Sequence, residues 1–503
     1  MSKIFVFIDV SKKQEFIFKS NKLKDNLKNS YIIKSITEYD DSENYNDMKV
    51  SLNEFIKRYE AKKVFCGGGN SIIGFIDNDK AKKFIREYSR KVLETYPDLE
   101  LYISKIEREN DGEFSIEDKK FLSHKANKLK EKRRSRYEKI SFGVEKLDGE
   151  TGFPIHVKED SIHCDKVIIN KAKKNLKSIL NLSKEASIEI TSELGDYKGK
   201  DKMSYIGIIS LDGNGMGKLV DSCQSIKELH NLSNDIRDIY YQSISEYLEK
   251  LSEYNNENIK KYITPIISAG DDLCLILDGR IAIDAAANII KNIKKKSKES
   301  EIIKKKMPNG LTTCAGIAIV KAGYPFFDGY REAEKLCKKS KIYLHKIKDD
   351  KEYLSFMDWK IVQGSNIESG DFIENIKEKD EIYHIKPLII DDIKSYFKED
   401  KEAYIFSYLD FKELKKDMED MILNKKISKS TLKKLQESFY DGYESYKIDI
   451  DNRRKEYTEE LFSAISKTFS SNNDYGVIET STKERIYILN DIIDAFNFLI
   501  TID

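Results

Sequence analysis

Apolar positions along this chain follow two alternating patterns: short continuous runs of branched and aromatic residues, and longer stretches where apolar residues recur every three or four positions. The first pattern predicts buried strands and the second predicts amphipathic helices. The chain opens on such a run, Ile4-Phe5-Val6-Phe7-Ile8, followed by a predicted helix over 12–20 that carries Phe16 and Ile17, and a second over 28–37. Residues 63–75 contain two apolar runs split by Gly67-Gly68-Gly69-Asn70, which predicts strand, turn, strand. A helix over 80–96 and a strand over 99–106 complete the order β-α-β-β-α-β of a ferredoxin-like unit.

The same order recurs further on. Residues 205–211 predict a strand, 226–251 a long helix, 262–268 and 273–277 a hairpin around Gly270-Asp271-Asp272, 281–294 a helix and 311–320 a strand. The chain therefore reads as two diverged copies of one unit, with Gly68-Gly69-Asn70 standing where the second copy has Gly270-Asp271-Asp272. Helical periodicity continues through 410–423, 430–446 and 486–500. The expected fold class is α+β: two ferredoxin-like units over 1–110 and 201–355, a charged insert over 111–200 and a helical C-terminal domain over 356–503.

The 503 residues suffice for several cores. No apolar stretch reaches the roughly 18 residues of a membrane span, so no membrane association is expected. The opening strand lacks the small-residue cleavage site of a signal peptide. Six cysteines without paired spacing read as reduced thiols of a cytoplasmic protein. A formal net charge of +1 neither favours nor excludes a nucleic-acid partner. The basic run at 130–136 reads either as a solvated helical face or as an arm that contacts phosphate.

The candidate chemistry sits in the second unit. Asp212 ends an apolar run and opens the glycine-rich turn Gly213-Asn214-Gly215-Met216-Gly217, and Asp271 and Asp272 form a hairpin tip. Either motif alone also makes an ordinary turn, because Gly supplies positive φ and Asp bonds its own backbone. In a ferredoxin-like sheet, however, the end of strand one lies beside the tip joining strands two and three. Three carboxylates gathered there suit hard divalent cations, two Mg²⁺ or Mn²⁺, with coordination positions left for phosphate oxygens. This is the arrangement of a palm-type nucleotidyltransferase or nucleotide cyclase. The first palm carries no acidic tip.

These stretches resemble the large subunit of type III CRISPR effector complexes, which polymerises ATP into cyclic oligoadenylate. The likeness is carried by Asp9-Val10-Ser11-Lys12-Lys13-Gln14-Glu15-Phe16-Ile17-Phe18, by Gly67-Gly68-Gly69-Asn70, by Asp212-Gly213-Asn214-Gly215-Met216-Gly217-Lys218, by Ala269-Gly270-Asp271-Asp272-Leu273 where the family has Gly-Gly-Asp-Asp, and by Thr313–Val320 with the helix after it. The resemblance is to a stand-alone relative expected to lack the HD nuclease domain, since the chain opens on the first palm's strand and none of its six histidines forms an HD pair. The family's paired zinc cysteines are absent as well.

The resemblance implies Asp212, Asp271 and Asp272 as metal ligands and catalytic residues. It implies Gly213, Asn214, Gly215, Met216, Gly217, Gly270 and Lys341 as contacts to a nucleotide, ATP or another NTP, and Gly68, Gly69 and Asn70 as the lining of an acceptor pocket. Lys341 reads equally as a solvated helix lysine, and Gly68-Gly69 as a tight hairpin turn. Partners implied are RNA or effector-complex subunits, met through the basic insert and the helical domain. Two other readings stay open: a non-catalytic scaffold that binds nucleotide or RNA, and a cyclase that makes a guanine dinucleotide.

Overall fold

The computed structural model describes residues 3–39, 48–108, 114–132, 143–145, 159–182, 187–198, 204–256, 258–269, 272–347, 353–362, 380–401, 403–453, 459–469, 475–480 and 483–502. Gly270, Asp271 and the basic residues at 133–136 lie outside them.

The first unit is built from β1 (Ile4–Ser11), α1 (Lys13–Ile17), α2 (Leu23–Thr37), α3 (Leu52–Arg58), β2 (Lys62–Gly67), β3 (Asn70–Phe75), α4 (Asn78–Thr95) and β4 (Glu100–Glu107). Its sheet runs β2-β3-β1-β4, with β1 antiparallel to both neighbours. That is the ferredoxin-like order read from the hydrophobic pattern. β1 takes the centre because it is apolar on both faces and buried from Ile4 to Val10. The predicted helix over 12–20 is shorter than its periodicity suggests. The chain leaves helical geometry at Phe18, whose ring stacks on Tyr330 of the second unit with centroids 3.6 Å apart.

The insert contributes α5 (Ile116–Glu131), α6 (Glu159–Ile179) and β5 (Glu189–Ile190). Ser115 and Asp118 cap α5 reciprocally, which fixes its start. α5 lies against β1 and β4 of the first sheet.

The second unit comprises β6 (Tyr205–Gly213), α7 (Met216–Asp221), α8 (Ile226–Glu253), β7 (Tyr262–Ala269), β8 (Asp272–Asp278), α9 (Ala282–Ser297), α10 (Glu301–Lys306), β9 (Thr313–Lys321) and α11 (Phe326–Ile347). Its core order β7-β8-β6-β9 repeats that of the first unit. The sheet is wider than the sequence suggests, because three strands from outside the expected 201–355 span join it. β10 (Phe356–Ile361) pairs parallel with β9, β12 (Leu388–Ile389) pairs with β10, and β5 pairs parallel with β7 at the other edge. Periodicity alone does not reveal that a strand such as Phe356–Ile361 extends an existing sheet; its tertiary neighbours do.

The C-terminal stretch also holds α12 (Tyr408–Leu423), α13 (Lys429–Phe439), α14 (Tyr443–Arg453), α15 (Glu459–Phe469) and α16 (Leu489–Ala495), with the short strands β11 (Glu381–Ile382), β13 (Tyr396–Lys398), β14 (Ala403–Ile405), β15 (Val477–Glu479) and β16 (Arg485–Tyr487). The helix expected over 430–446 is two helices, parted at Gly442 with φ +89°, which ends helical geometry. The one expected from 486 begins as β16, paired with β15. This region packs onto the second unit: Phe411 of α12 meets the buried Trp359 edge to face at 5.1 Å, and the Ile502 amide donates to Asp284 of α9 at 3.0 Å.

The two units touch as well. α2 packs on β7 and α8 on β2. Among the described residues, no helix is long and apolar enough to cross a membrane.

Candidate active site

The register of β6 builds the site. Leu211 pairs with Leu273 on β8, and Ala269 closes the hairpin opposite Asp272. The next step of the β6–β8 register therefore sets Asp212 opposite Asp272. Directly opposed residues share a sheet face with Cα atoms about 4.5–5.5 Å apart. Asp212 itself still pairs with Cys314 on β9. Two carboxylates thus stand side by side where the strands end, and chain order puts Asp271 next to Asp272.

Lys341 reaches this pair from α11. Its ammonium forms an ion pair with Asp212 and donates to the Gly213 carbonyl at 3.2 Å. The ion pair is partly shielded, with 25% of the lysine and 37% of the aspartate side chain exposed. The lysine that could have been a solvated helix residue is therefore placed against Asp212 and the Gly213 carbonyl.

Its placement depends on how closely α11 approaches the sheet. A side chain at Gly316 of β9 would collide with the Ala333 carbonyl and the Cys337 amide of α11. Only a residue without Cβ allows that approach. The seam is tied by the Ser340 hydroxyl, which donates to the Ala315 carbonyl at 3.1 Å, and by the Cys337 thiol on the Cys314 carbonyl at 3.3 Å.

The two thiols report the field of the site. Burial pushes the Cys314 thiol up to about 11, with Lys341 pulling it down and Asp212 pushing it up. Burial also raises Cys337, and there Cys314, Asp212 and Asp272 add to the rise while Lys341 opposes it. Both carboxylates and the lysine are thus felt at one point.

The glycine-rich turn divides by role. Asn214 braces the turn: its amide N–H donates to the Thr312 carbonyl at 2.8 Å, and its side chain donates to Thr312 Oγ1 at 3.2 Å and to the Leu354 carbonyl at 3.4 Å. Gly215 adopts φ +71° just before α7, a conformation that disfavours a side chain. A Cβ at Gly215 or Gly217 would meet nothing within 4 Å, so both face open space. Met216, half-buried, begins α7.

The first unit repeats the geometry with different groups. Ile8 pairs with Ser71 and Gly67 with Asn70, so Asp9 stands opposite Asn70 as Asp212 stands opposite Asp272. Gly68 and Gly69 both have positive φ, as a two-residue hairpin of primed type requires. Asp9 is buried, 8% exposed. Its carboxylate pairs with Lys13 at 3.4 Å and with Lys130 of α5, and Lys13 also donates to the Gly68 carbonyl at 3.4 Å. The roles of Asp9, Lys13 and Lys130 are not apparent from the local pattern. Superposing the two repeats strand on strand would have placed Asp9 on Asp212, but nothing local marks the two lysines.

Among the described residues, no group of three or more His, Cys, Asp or Glu side chains is placed to hold a metal ion. The described donors at the second tip are Asp212 and Asp272, and the Lys341 ammonium rests on Asp212 as a cation would.

Residues 205–350 match the family model described as Cas10/Cmr2, second palm domain. Among solved structures, the chain is similar to the Csm1–Csm4 cassette in complex with cA4, with TM-score 0.50 and 14% identity over 99% of this chain and 69% of that one. It is also similar to the cassette in complex with cA3 (TM-score 0.44, 15% identity, 71% of this chain and 55% of that one). The cassette in complex with one ATP gives TM-score 0.45 and 15% identity, with 71% and 55% covered. In those last two comparisons the match spans about half the length of the solved chain. No curated protein matches. Residues 205–350 are thus similar to the second palm domain of Cas10/Cmr2, and the fold of the chain is similar to that of the Csm1–Csm4 cassette.

Proposed function

We propose that the second palm is a nucleotidyltransferase that converts NTPs, ATP foremost, into a cyclic oligonucleotide or dinucleotide messenger in CRISPR-type antiviral defence in the cytoplasm. The observation that carries this reading is the register that sets Asp212 beside Asp272 at the strand ends, with Lys341 paired to Asp212. The similar Csm1–Csm4 cassette bound to cA4 supports it.

Asp212, Asp271 and Asp272 would hold two Mg²⁺ or Mn²⁺ ions. A half-exposed Asp212 that already attracts a cationic side chain fits that role. Bound there, the ions would supply charge neutralisation for a triphosphate and a lowered pKa for an attacking hydroxyl. The chain's own groups do the rest. Lys341, already paired with Asp212, would turn to phosphate oxygens once Asp212 has another partner. The open faces of Gly215 and Gly217 admit phosphate close to backbone N–H groups. Asn214 holds the turn at a fixed height above the sheet through Thr312 and Leu354. The Gly68-Gly69-Asn70 tip of the first palm would line the acceptor side. Effector-complex subunits or RNA would meet the insert and the C-terminal region.

A catalytically silent scaffold is the second reading, favoured by the first palm, which keeps its fold around a tip held by lysines instead of carboxylates. The test is incubation with Mg²⁺ or Mn²⁺ and each NTP, with products resolved by mass spectrometry. The expected result is a cyclic product that vanishes in Asp271→Ala with Asp272→Ala while the circular dichroism spectrum stays unchanged. Product that persists in that variant refutes the assignment. Nucleotide binding without product, with and without added RNA, establishes the scaffold.

A further inference from the structure

The two palms share one backbone frame, so their tips can be compared position by position. Asp9 corresponds to Asp212, Asn70 to Asp272, Gly69 to Asp271 and Gly68 to Gly270, because Ile8–Ser71 and Leu211–Leu273 are equivalent register pairs. The second tip has three carboxylates in sequence and one lysine. The first has one carboxylate and two lysines. The balance of charge is therefore reversed between two tips at the same place in the fold.

The first tip is also more enclosed. Its aspartate side chain is 12% exposed, against 37% for Asp212. A carboxylate that buried requires a compensating cation. Lys13 supplies one from the first turn of α1, and Lys130 supplies another from the last turn of α5. They arrive from opposite directions in sequence, and each takes a different carboxylate oxygen, Oδ1 for Lys13 and Oδ2 for Lys130. The Asn70 amide, turned with its nitrogen toward Asp9, adds a third donor. The side chains that reach the Asp9 carboxylate are thus all donors, where a metal site would set oxygen acceptors around a cation.

We infer that the tip of the first palm is a cation site closed by the chain itself: the ammonium groups of Lys13 and Lys130 stand where divalent ions would stand, so this palm takes no metal unless the lysines are removed. Because Lys130 belongs to the insert, closure also pins α5 to the first palm. The inference concerns metal occupancy and goes beyond the proposed reaction; it holds or fails whether or not the second palm turns over.

The experiment titrates the full chain with Mn²⁺ in the absence of nucleotide and follows the free ion by electron paramagnetic resonance. Asp212→Asn with Asp271→Asn and Asp272→Asn silences the second tip, and this variant is expected to bind no Mn²⁺. Adding Lys13→Met and Lys130→Met should create about one site per chain, ligated by Asp9 and nearby carbonyl oxygens. Asp9→Asn should then abolish it. Mn²⁺ bound to the silenced variant and lost on Asp9→Asn would overturn the inference, as would failure of the lysine variants to gain a site while folded.

A stability cycle covers the case of poor folding. Lys13→Met and Lys130→Met, each alone, should lower the thermal midpoint less in an Asp9→Asn background than in the wild type. Equal losses in both backgrounds would show that the lysines do not serve Asp9.

Discussion

Gly316 carries the most exposed prediction, because one missing side chain sets the distance between β9 and α11. A Cβ at this position would fall within contact distance of the Ala333 carbonyl, the Cys337 amide and the Leu336 carbonyl carbon. All three obstacles are helix backbone, which cannot rotate aside as a side-chain end can. Gly316→Ala must therefore lift α11 off the sheet. Overpacking of this kind costs about 1–3 kcal/mol, and rigid obstacles place Gly316 at the upper end. At about 2–4 °C per kcal/mol, the thermal midpoint should fall by about 6–12 °C. The Ser340–Ala315 hydrogen bond and the reach of Lys341 to Asp212 lie on the same helix, so nucleotide affinity should fall with stability. Gly329 of α11 is the internal control. There the nearest atom to an added Cβ is Ile208 Cδ1 at 2.7 Å, the flexible end of a side chain. Gly329→Ala should be near neutral, since rotamer adjustment offsets the contact and alanine gains about 1 kcal/mol of helix propensity. Differential scanning fluorimetry of both variants, with binding of a non-hydrolysable ATP analogue, decides the matter. Equal midpoints for the two variants would refute the argument that backbone contact at Gly316 positions Lys341.

Lys341→Met should strengthen Mn²⁺ binding to the nucleotide-free protein while weakening nucleotide binding. A partly exposed pair contributes no more than about 1 kcal/mol, so the gain is at most about fivefold, and calorimetric titration would detect its absence. The acid limb of stability should reflect Asp491, buried between His384 Nδ1 at 2.8 Å and Lys386 at 3.2 Å and accepting from the Ile385 amide at 2.8 Å. Burial alone would raise its pKa, but Lys386 and His384 outweigh burial and hold it well below the usual carboxylate range. The sign follows from that depression. The stabilisation is complete above the unfolded value of about 3.9 and is lost as pH falls from there through the lower folded value. Asp491→Asn should cost about 3–5 kcal/mol at pH 7, and its denaturation curve should converge on that of the wild type in strong acid; a gap that persists there would show that charge is not the cause.

The candidate site was legible in part. Asp212, the glycine turn and the acidic tip stand out because each breaks an apolar run at a strand end, where a carboxylate has no reason of packing to be. Lys341 could not be separated from a solvated lysine, since nothing within α11 distinguishes a side chain that faces water from one that meets Asp212, 129 positions earlier in the chain. Asn214 reads as a nucleotide contact in sequence; the structure shows its amide engaged by Thr312 and Leu354, residues whose proximity only the folded sheet creates.

What the sequence determined by itself is what local periodicity can encode: strands of period two, helices of period 3.6, turns at glycine pairs, and hence two ferredoxin-like repeats, the second with an acidic pair in its hairpin turn. The tertiary structure decided which strands from the insert and the C-terminal region complete the second sheet, how far α11 sits from β9, and which lysines meet which aspartates. Strand pairing and ion pairing join groups far apart in the chain, and the free energy of each depends on burial and register that no local window contains. Asp9 and Asp212 occupy the same place in the same fold. One is closed by Lys13 and Lys130 and the other stands half open, because of side chains contributed by α1 and α5 to the first tip and by α11 to the second.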